Sequence, residues 1–151
     1  MTASSLGILL VVIYALGSGL WVSTGDGWYR SLNAPSWQPP DWIFGVIWPY
    51  NFIVLGISSV IVSQRLSKFT SVLWLACLAM SVVCALVWAY QFYRPHNLGV
   101  ASIALAGAAA FTTPLLVIAY KASWPLLIAL IPYQFWLVTA AFLSWGYQKR
   151  N

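Results

Sequence analysis

Residues 35–64 read PSWQPPDWIFGVIWPYNFIVLGISSVIVSQ, and this stretch decides the fold. Three prolines stand in its first six residues, and a run without charged side chains follows from Trp42 to Gln64. A helix needs about 20 mostly apolar residues to cross the hydrocarbon core of a bilayer. The stretch therefore predicts a membrane-spanning helix with a proline-rich entrance.

The composition extends this prediction to the whole chain. Hydrophobic residues make up 62% of the 151 residues and charged residues only 6%, whereas soluble domains carry about 25% charged residues. Backbone groups in lipid must be satisfied within the segment, which favours helices. We predict an all-α integral membrane protein, a bundle of five transmembrane helices in a single domain over residues 1–151. The predicted spans are 6–23, 42–64, 72–93, 98–120 and 124–147, with a long lid loop over 24–41.

The charged residues exclude several classes of function. Seven basic and two acidic residues are scattered without a basic stripe, so we predict no nucleic-acid partner. No charged residue or histidine lies within the five predicted spans, which argues against ion-coupled transport and against acid–base catalysis. We predict no metal site. Asp41 is interpreted as the N-cap of the second span, and His96 as a solvated loop residue.

The loop charges give a weak prediction of orientation. Three basic residues are predicted on one side of the membrane: Arg65, Lys68 and Lys121. Four are predicted on the other side: Arg30, Arg94, Lys149 and Arg150. The positive-inside rule then favours a cytoplasmic C-terminus by a margin of one residue. In span four, small residues four apart, Ala104 with Ala108 and Ala106 with Ala110, are typical of close helix packing. They suit either packing within the chain or a homodimer contact.

Two of the ten tryptophans lie too deep for an interfacial belt. Tryptophans at span ends anchor a protein at the membrane surface, which explains Trp21, Trp42, Trp74, Trp124 and Trp145. Trp48 lies six residues inside its span, roughly 9 Å deep, and Trp136 lies near the middle of the last span. Because a buried indole N–H needs an acceptor, both should face the bundle interior or a cavity.

Aromatic residues surround the predicted positions of these tryptophans. Phe44 and Phe52 lie one turn from Trp48, Phe92 one turn from Trp88, and Tyr133 and Ala140 near Trp136. Two interpretations stay open: a packed aromatic core, or a cavity for a flat and largely apolar ligand. Candidate polar groups for such a cavity are Asn51, Gln91, Gln134 and Thr139.

Two motifs resemble a known family. WYRSLNAPSWQPPDWIFGVIW at 28–48 and IPYQFWLVTAAFLSW at 131–145 are similar to the most distinctive stretches of the tryptophan-rich sensory protein/translocator protein (TspO) family. The resemblance covers the full length. It implies a five-helix bundle, often dimeric, with a ligand cavity beneath the first loop, and ligands that include porphyrins, other tetrapyrroles and sterols.

The resemblance, with the aromatic neighbours, gives a predicted set of ligand contacts. The set comprises Trp28, Trp37, Pro39, Pro40, Phe44, Trp48, Phe52, Ala85, Trp88, Phe92, Tyr133, Trp136 and Ala140. The sequence departs from the family at two places: Ala85 stands where many members have Asn, and Phe52 where Tyr is common. Both departures make the predicted cavity more apolar. Leu143, Tyr147 and Lys149 satisfy the loose form of a sterol-recognition pattern, although an interfacial anchor explains them as well.

Three functions follow as hypotheses. The first is a membrane receptor or sensor for tetrapyrroles such as protoporphyrin, with no cofactor required and with membrane lipids as its surroundings. The second is a light- and oxygen-dependent porphyrin-degrading enzyme, in which Trp48 and Trp136 are the catalytic residues. The third is a transporter of porphyrin or sterol.

Overall fold

The computed structural model describes residues 2–151 as six helices, five of them long. The helices are α1 (Ala3–Trp21), α2 (Gly27–Ser31), α3 (Asp41–Arg65), α4 (Lys68–Tyr93), α5 (Leu98–Ala122) and α6 (Trp124–Arg150). By length and composition, all except α2 are suited to crossing a membrane. The prediction of an all-α integral membrane bundle with five spans is confirmed, and the long helices begin and end within a few residues of the predicted spans.

The segment between the first two spans is more ordered than a loop. It contains α2, whose first turn is capped by Asp26: the carboxylate accepts a hydrogen bond of 2.7 Å from the backbone N–H of Tyr29. The predicted N-cap of α3 is wrong by one residue. Pro40 occupies the cap position without a side-chain hydrogen bond, and Asp41 is the first helical residue, where a carboxylate still favours the positive end of the helix dipole.

The five long helices form a closed bundle. Helix α1 packs against α3 and α4, α5 lies between α4 and α6, and α3 closes the ring through contacts with α4, α5 and α6. Gly7 allows the close approach of α1 to α3, because a Cβ atom there would lie 2.4 Å from Cβ of Ser59. Between this contact and the lid end of the bundle, the core is built from fully buried side chains such as Leu55, Leu78 and Leu137.

Trp74 is a core residue and not part of the interfacial belt. Its side chain is only 1% exposed, and its indole N–H donates to Oγ of Ser59 at 3.0 Å. The belt interpretation of this tryptophan is therefore wrong. Trp42, Trp124 and Trp145, in contrast, expose about half or more of their side chains on the outside of the bundle.

The small residues of α5 fall on two different faces. Ala108 is buried against α4, where its carbonyl oxygen accepts a hydrogen bond of 3.1 Å from Oγ of Ser81. Ala106 and Ala110 lie on the exposed side of α5. The first pair thus serves packing within the chain, and the second leaves a small-residue face available. The homodimer stays a prediction.

Candidate functional site

An internal cavity lies in the half of the bundle that carries α2. Its volume is about 290 Å³, and its walls come from α1, α3, α4 and α6 together with the segment that follows α1. Most of this wall is apolar. The lining residues are Ala15, Ser18, Gly19, Val22, Thr24, Tyr29, Phe44, Trp48, Phe52, Trp88, Phe92, Tyr93, Trp136, Ala140, Leu143, Ser144 and Tyr147.

Aromatic rings from α3 and α6 meet on one side of the cavity. The rings of Trp48 and Trp136 are perpendicular, with centroids 6.5 Å apart, and Phe44 meets Trp136 edge-on at 5.2 Å. Phe52 stacks beside Trp48 at 5.9 Å. Each ring is therefore held in place by another ring. This wall suits a flat conjugated ligand, because aromatic pairs favour offset-stacked or edge-to-face geometries.

A second aromatic cluster joins α4, α6 and the lid. Tyr29 of α2 lies within 6.3 Å of the rings of Phe92, Tyr93 and Tyr147, measured between centroids. Phe92 in turn contacts Trp88 at 6.1 Å. Because α2 supplies only a few residues, its position depends on these contacts with the ends of α4 and α6.

Two indole N–H groups of the cavity wall have no hydrogen-bond partner. Nε1 of Trp88 and Nε1 of Trp136 are both buried, and neither finds an acceptor among residues 2–151. Trp74, outside the cavity, shows the usual arrangement, with its N–H paired to Ser59. Buried polar groups are rarely left unpaired. The two tryptophans of the cavity wall therefore differ from Trp74, whose donor is paired.

The lid is fastened to the end of α6 by three kinds of contact. The hydroxyl of Tyr147 donates to Oε1 of Gln38. The side-chain carbonyl of Asn151 accepts from the backbone N–H of Asn33 at 2.8 Å. Pro35 packs onto Gly146, where an added Cβ would approach Cγ of the proline to 2.7 Å. Glycine at this position lets the lid lie directly on the helix backbone.

Most of the predicted ligand contacts lie in the cavity wall. Seven of the predicted residues line it: Phe44, Trp48, Phe52, Trp88, Phe92, Trp136 and Ala140. The lid residues Trp37, Pro39 and Pro40 do not line it, and the side chain of Trp37 is 50% exposed. Trp28 also lies outside the wall. It stacks on His96 with the ring centroids 3.6 Å apart, so this loop histidine is exposed but not free of contacts.

The remaining predicted residues are in the core. Ala85 is 1% exposed and belongs to the core below Trp88, so the expectation that it faces the cavity is not met. Tyr133 is buried in the same core cluster. The polar candidates are also outside the wall. They are Asn51, Gln91, Gln134 and Thr139.

The polar groups of the wall come from other residues. The wall contains the hydroxyl groups of Ser18, Thr24, Tyr29 and Ser144, none of which was predicted from the sequence. Tyr29 belongs to the Trp-Tyr pair of the first motif, and Ser144 lies four residues after Ala140 and eight after Trp136. Helical spacing therefore contained a signal for Ser144. Ser18 of α1 and Thr24, which follows α1, had no such signal in the sequence.

The residues of the sterol-recognition pattern do not share a surface. Leu143 and Tyr147 line the cavity and are buried, whereas Lys149 is exposed and holds its ammonium group 4.6 Å from the ring centre of Trp145. A lipid-facing sterol cannot contact all three at once. The cation over an interfacial tryptophan is typical of a membrane anchor.

The arrangement offers aromatic surface and hydrogen-bond donors, but not the groups for acid–base chemistry. The lining residues carry hydroxyl and indole groups and no carboxylate, histidine or cysteine. Across residues 2–151, no three His, Cys, Asp or Glu side chains come together as metal ligands do.

The fold and the cavity define a class of protein: a multi-pass integral membrane protein with five spanning helices around an aromatic pocket. Residues 7–150 match the family model described as TspO/MBR family. The chain belongs to this family.

Named relatives match over nearly the whole chain. The Translocator protein of Homo sapiens is 33% identical over 155 residues, which cover 99% of this chain and 86% of the relative. An Uncharacterized membrane protein YtaB of Bacillus subtilis is 32% identical, with 95% and 94% covered. Protein CrtK of Rhodobacter capsulatus is 27% identical, with 100% and 95% covered.

Proposed function

We propose that this protein is a membrane receptor that binds a tetrapyrrole in the aromatic cavity. The observation that carries the proposal is the wall formed by Trp48, Phe52 and Trp136. Ligand pockets are mostly apolar and aromatic, with a few polar groups that orient the ligand. A flat, conjugated macrocycle matches such a wall, and the family resemblance implies ligands of this class.

The unpaired indole groups favour a ligand that carries hydrogen-bond acceptors. Nε1 of Trp88 and of Trp136 can only donate. A carbonyl, a carboxyl group or an imine-type ring nitrogen of the macrocycle would accept from them. The hydroxyl group of Thr24 adds a further donor at the wall, whereas those of Ser18 and Ser144 already pair with the carbonyl of Tyr14 and the hydroxyl of Ser102. A purely hydrocarbon ligand would leave both indole groups unpaired, at a cost of about 1–3 kcal/mol for each.

The size of the cavity requires the lid to move for a macrocycle to enter. A volume of about 290 Å³ lies at the lower end of the range of roughly 300–1,000 Å³ for ligand pockets. Only part of a tetrapyrrole fits while Thr24 and Tyr29 of the lid remain in the cavity wall. Displacement of these two residues would open the end of the cavity that the lid covers.

Titration with protoporphyrin tests the proposal. The shift of the porphyrin absorption band is followed in protein reconstituted in lipid, because this readout does not depend on the number of tryptophans. We expect saturation at one porphyrin per chain. A Trp48→Ala/Trp136→Ala variant should bind at least about tenfold more weakly, whereas Trp124→Ala, a change at an exposed tryptophan on the outside of the bundle, should bind normally. Equal binding by all three proteins would reject the site.

A second candidate function is light-driven oxidation of the bound porphyrin. The edge contact of Trp48 with Trp136 favours it, because the radical cation left when a photoexcited porphyrin takes an electron from one indole can be shared with the neighbouring indole, and dioxygen serves as the net oxidant. The porphyrin radical anion formed in this way adds dioxygen, and return of one electron to the indole radical cation restores the tryptophan and leaves an oxygenated porphyrin. Illumination in air and under argon tests this function. Loss of the porphyrin band should therefore require air and should slow in Trp48→Phe/Trp136→Phe but not in Trp124→Phe. Equal rates would mean photobleaching in solution.

Transport of porphyrin or sterol is less well supported by the packing. Below the cavity, Leu55, Leu78 and Leu137 are fully buried and fill the bundle. A path across the membrane would require this core to separate, whereas binding requires only the lid to move. Flux of protoporphyrin into vesicles containing the protein, measured above the leak of empty vesicles, would support transport.

A further inference from the structure

A second open space lies on the outside of the bundle, between α5 and α6. It is a groove of about 470 Å³, and no residue that lines it also lines the aromatic cavity. Both helices are suited to crossing a membrane. The lining side chains of Ile103, Phe142 and Trp145 are exposed on the outer surface of the bundle. The groove therefore opens towards the lipid and not towards the cavity.

The groove extends over about one leaflet of a bilayer. On α5 its lining runs from Gly99, the second residue of the helix, to Ala109, and on α6 it runs from Gln148 to Val138. Each stretch advances by ten residues, or roughly 15 Å, and the hydrocarbon core of a bilayer is about 30 Å thick. The groove thus reaches from the membrane surface at the lid end of the bundle to the middle of the bilayer.

The width of the groove suits a single hydrocarbon chain. A volume of about 470 Å³ spread over roughly 15 Å gives a mean cross-section of about 30 Å². A helix with its side chains is about 10 Å across, which is a cross-section of roughly 80 Å². A helix from a second copy of the chain is therefore too wide to enter the groove, whereas one extended acyl chain is not.

The floor of the groove is apolar. Ala106, Ala109 and Ala141 contribute only methyl groups. The hydroxyl of Ser102 is already paired, with the carbonyl of Leu98 at 2.8 Å and with the hydroxyl of Ser144 at 3.2 Å. A hydrocarbon chain in the groove therefore leaves no buried polar group of this floor without a partner.

The mouth of the groove carries positive charge. Trp145 lines the groove, and the ammonium group of Lys149 lies 4.6 Å from the centre of its ring. The exposed amide of Gln148 lies across Gly99, where an added Cβ would be 3.3 Å from Nε2. Ammonium and amide N–H groups both donate hydrogen bonds to phosphate oxygens. The mouth thus offers two kinds of donor to a phosphate at the membrane surface.

Neither helix of the groove carries an acidic side chain. The two acidic side chains of the sequence are Asp26 and Asp41, which lie at the start of α2 in the lid and in the first turn of α3. Arg150 follows Lys149 and adds a second positive charge at this end of α6. Basic residues next to the membrane surface attract anionic lipids. The mouth of the groove is therefore complementary to an anionic headgroup.

We propose that this groove binds one acyl chain of an anionic phospholipid, whose phosphate is held by Lys149 and Gln148. The chain lies along Ala106 and ends near Val138, in the middle of the membrane. Because the groove and the aromatic cavity share no lining residue, the proposal does not depend on what the cavity binds.

Native mass spectrometry of the full-length protein, released from detergent, tests the headgroup preference. Dioleoylphosphatidylglycerol and dioleoylphosphatidylcholine have the same acyl chains, but only the first has a net negative charge. We expect the Kd of the first bound phosphatidylglycerol to be about fivefold lower than that of the first phosphatidylcholine. In Lys149→Gln this preference should fall below about twofold. Lys121→Gln, a change at the opposite end of α5, is the control and should keep it.

A ring placed in the groove tests where the acyl chain lies. Ala106→Phe fills part of the groove, and Ala110→Phe is the matched control, because Ala110 is exposed one turn further along α5 and does not line the groove. Ala106→Phe should weaken binding of the first phosphatidylglycerol by at least about fivefold, and Ala110→Phe should leave it unchanged. Since both alanines are exposed, both variants should melt near the wild-type temperature.

Equal Kd values for the two lipids in the wild type, or an unchanged preference in Lys149→Gln, would overturn the headgroup site. Equal binding by Ala106→Phe and Ala110→Phe would overturn the groove as the place of the acyl chain. Two further results would give the groove a different occupant. Dissociation of a dimer by Ala106→Phe with unchanged lipid binding would make it a contact between copies of the chain, and displacement of phosphatidylglycerol by an equal concentration of cholesterol would make it a sterol site.

Discussion

The indole ring of Trp48 stands perpendicular to that of Trp136, at a centroid distance of 6.5 Å, across the interface of α3 and α6. Such an edge contact contributes about 0.5–1.5 kcal/mol beyond the area it buries. It also fixes both rings in the cavity wall. The pair therefore contributes to packing, and we propose that it also contacts the ligand. The two roles can be separated by comparison with a tryptophan that has a packing role alone.

Trp74 provides that comparison. Its N–H donates to Ser59 and its ring fills the core, whereas the N–H of Trp136 is unpaired. We expect Trp74→Phe to lower the free energy of unfolding by about 1–3 kcal/mol through lost packing and a lost hydrogen bond. Trp136→Phe should cost clearly less. Thermal melting in the same detergent measures both. A larger loss for Trp136→Phe would mean that this indole has a structural role.

Gly146 controls how closely the lid lies on α6. A Cβ atom there would come within 2.7 Å of Pro35, so Gly146→Ala must push the lid away. We expect a loss of about 1–3 kcal/mol in stability and faster amide exchange in residues 31–38. Gly56→Ala is the control, because nothing lies within 4 Å of the added atom. It should be neutral or stabilising by up to about 1 kcal/mol. Unchanged amide exchange of residues 31–38 in Gly146→Ala would show that the ring of Pro35 adjusts locally and that the rest of the lid stays in place.

The sequence predicts the fold well because the signals are local. A span is defined by about 20 apolar residues in succession, and the spans at 42–64 and 98–120 lie within a few residues of α3 and α5. The deep positions of Trp48 and Trp136 also follow from distance along a helix, and both residues line the cavity.

The predictions that differ from the structure concern the direction in which a side chain points around its helix axis. Trp74 lies near a span end, as belt tryptophans do, but faces the core because α3 supplies an acceptor at Ser59. Ala85 lies one turn from Trp88, but the cavity wall ends at Trp88. Whether a side chain faces the core or the cavity depends on which helices are neighbours. The order of the helices around a five-helix bundle cannot be read from the sequence. The fastening of the lid to Asn151 also joins segments far apart in the chain.

The sequence predicts that Ala85 contacts the ligand, whereas its position in the structure predicts that it does not. Its side chain is 1% exposed within the core, so Ala85→Asn inserts a larger polar side chain into filled space. We expect a loss of about 1–3 kcal/mol and no more than a twofold change in porphyrin affinity, because residue 85 is not in the cavity wall. Melting curves and absorption titrations measure the two effects. A rise in melting temperature would show that the new amide finds hydrogen-bond partners in the core.

Asn33 and Asn151 form the hydrogen-bonded fastening of the lid. The amide of Asn151 accepts from the backbone N–H of Asn33 at 2.8 Å and donates to its carbonyl at 3.3 Å. These exposed bonds contribute about 0.5–1.5 kcal/mol each. Asn151→Ala should therefore shift the lid towards its open form with little effect on the melting temperature. Gln148→Ala is the control, since Gln148 is exposed one turn earlier on α6 and faces Gly99 rather than the lid.

The fastening determines the rate of ligand entry more than the strength of binding. Because we propose that a porphyrin enters by displacing the lid, an already loosened lid should lower the barrier for association and for dissociation alike. We expect both rate constants of Asn151→Ala, followed by stopped-flow absorption, to rise by about twofold to tenfold, while Kd changes by less than about twofold. Gln148→Ala should show wild-type rates. Unchanged rates in Asn151→Ala would mean that the ligand enters between the helices from the lipid and not beneath the lid.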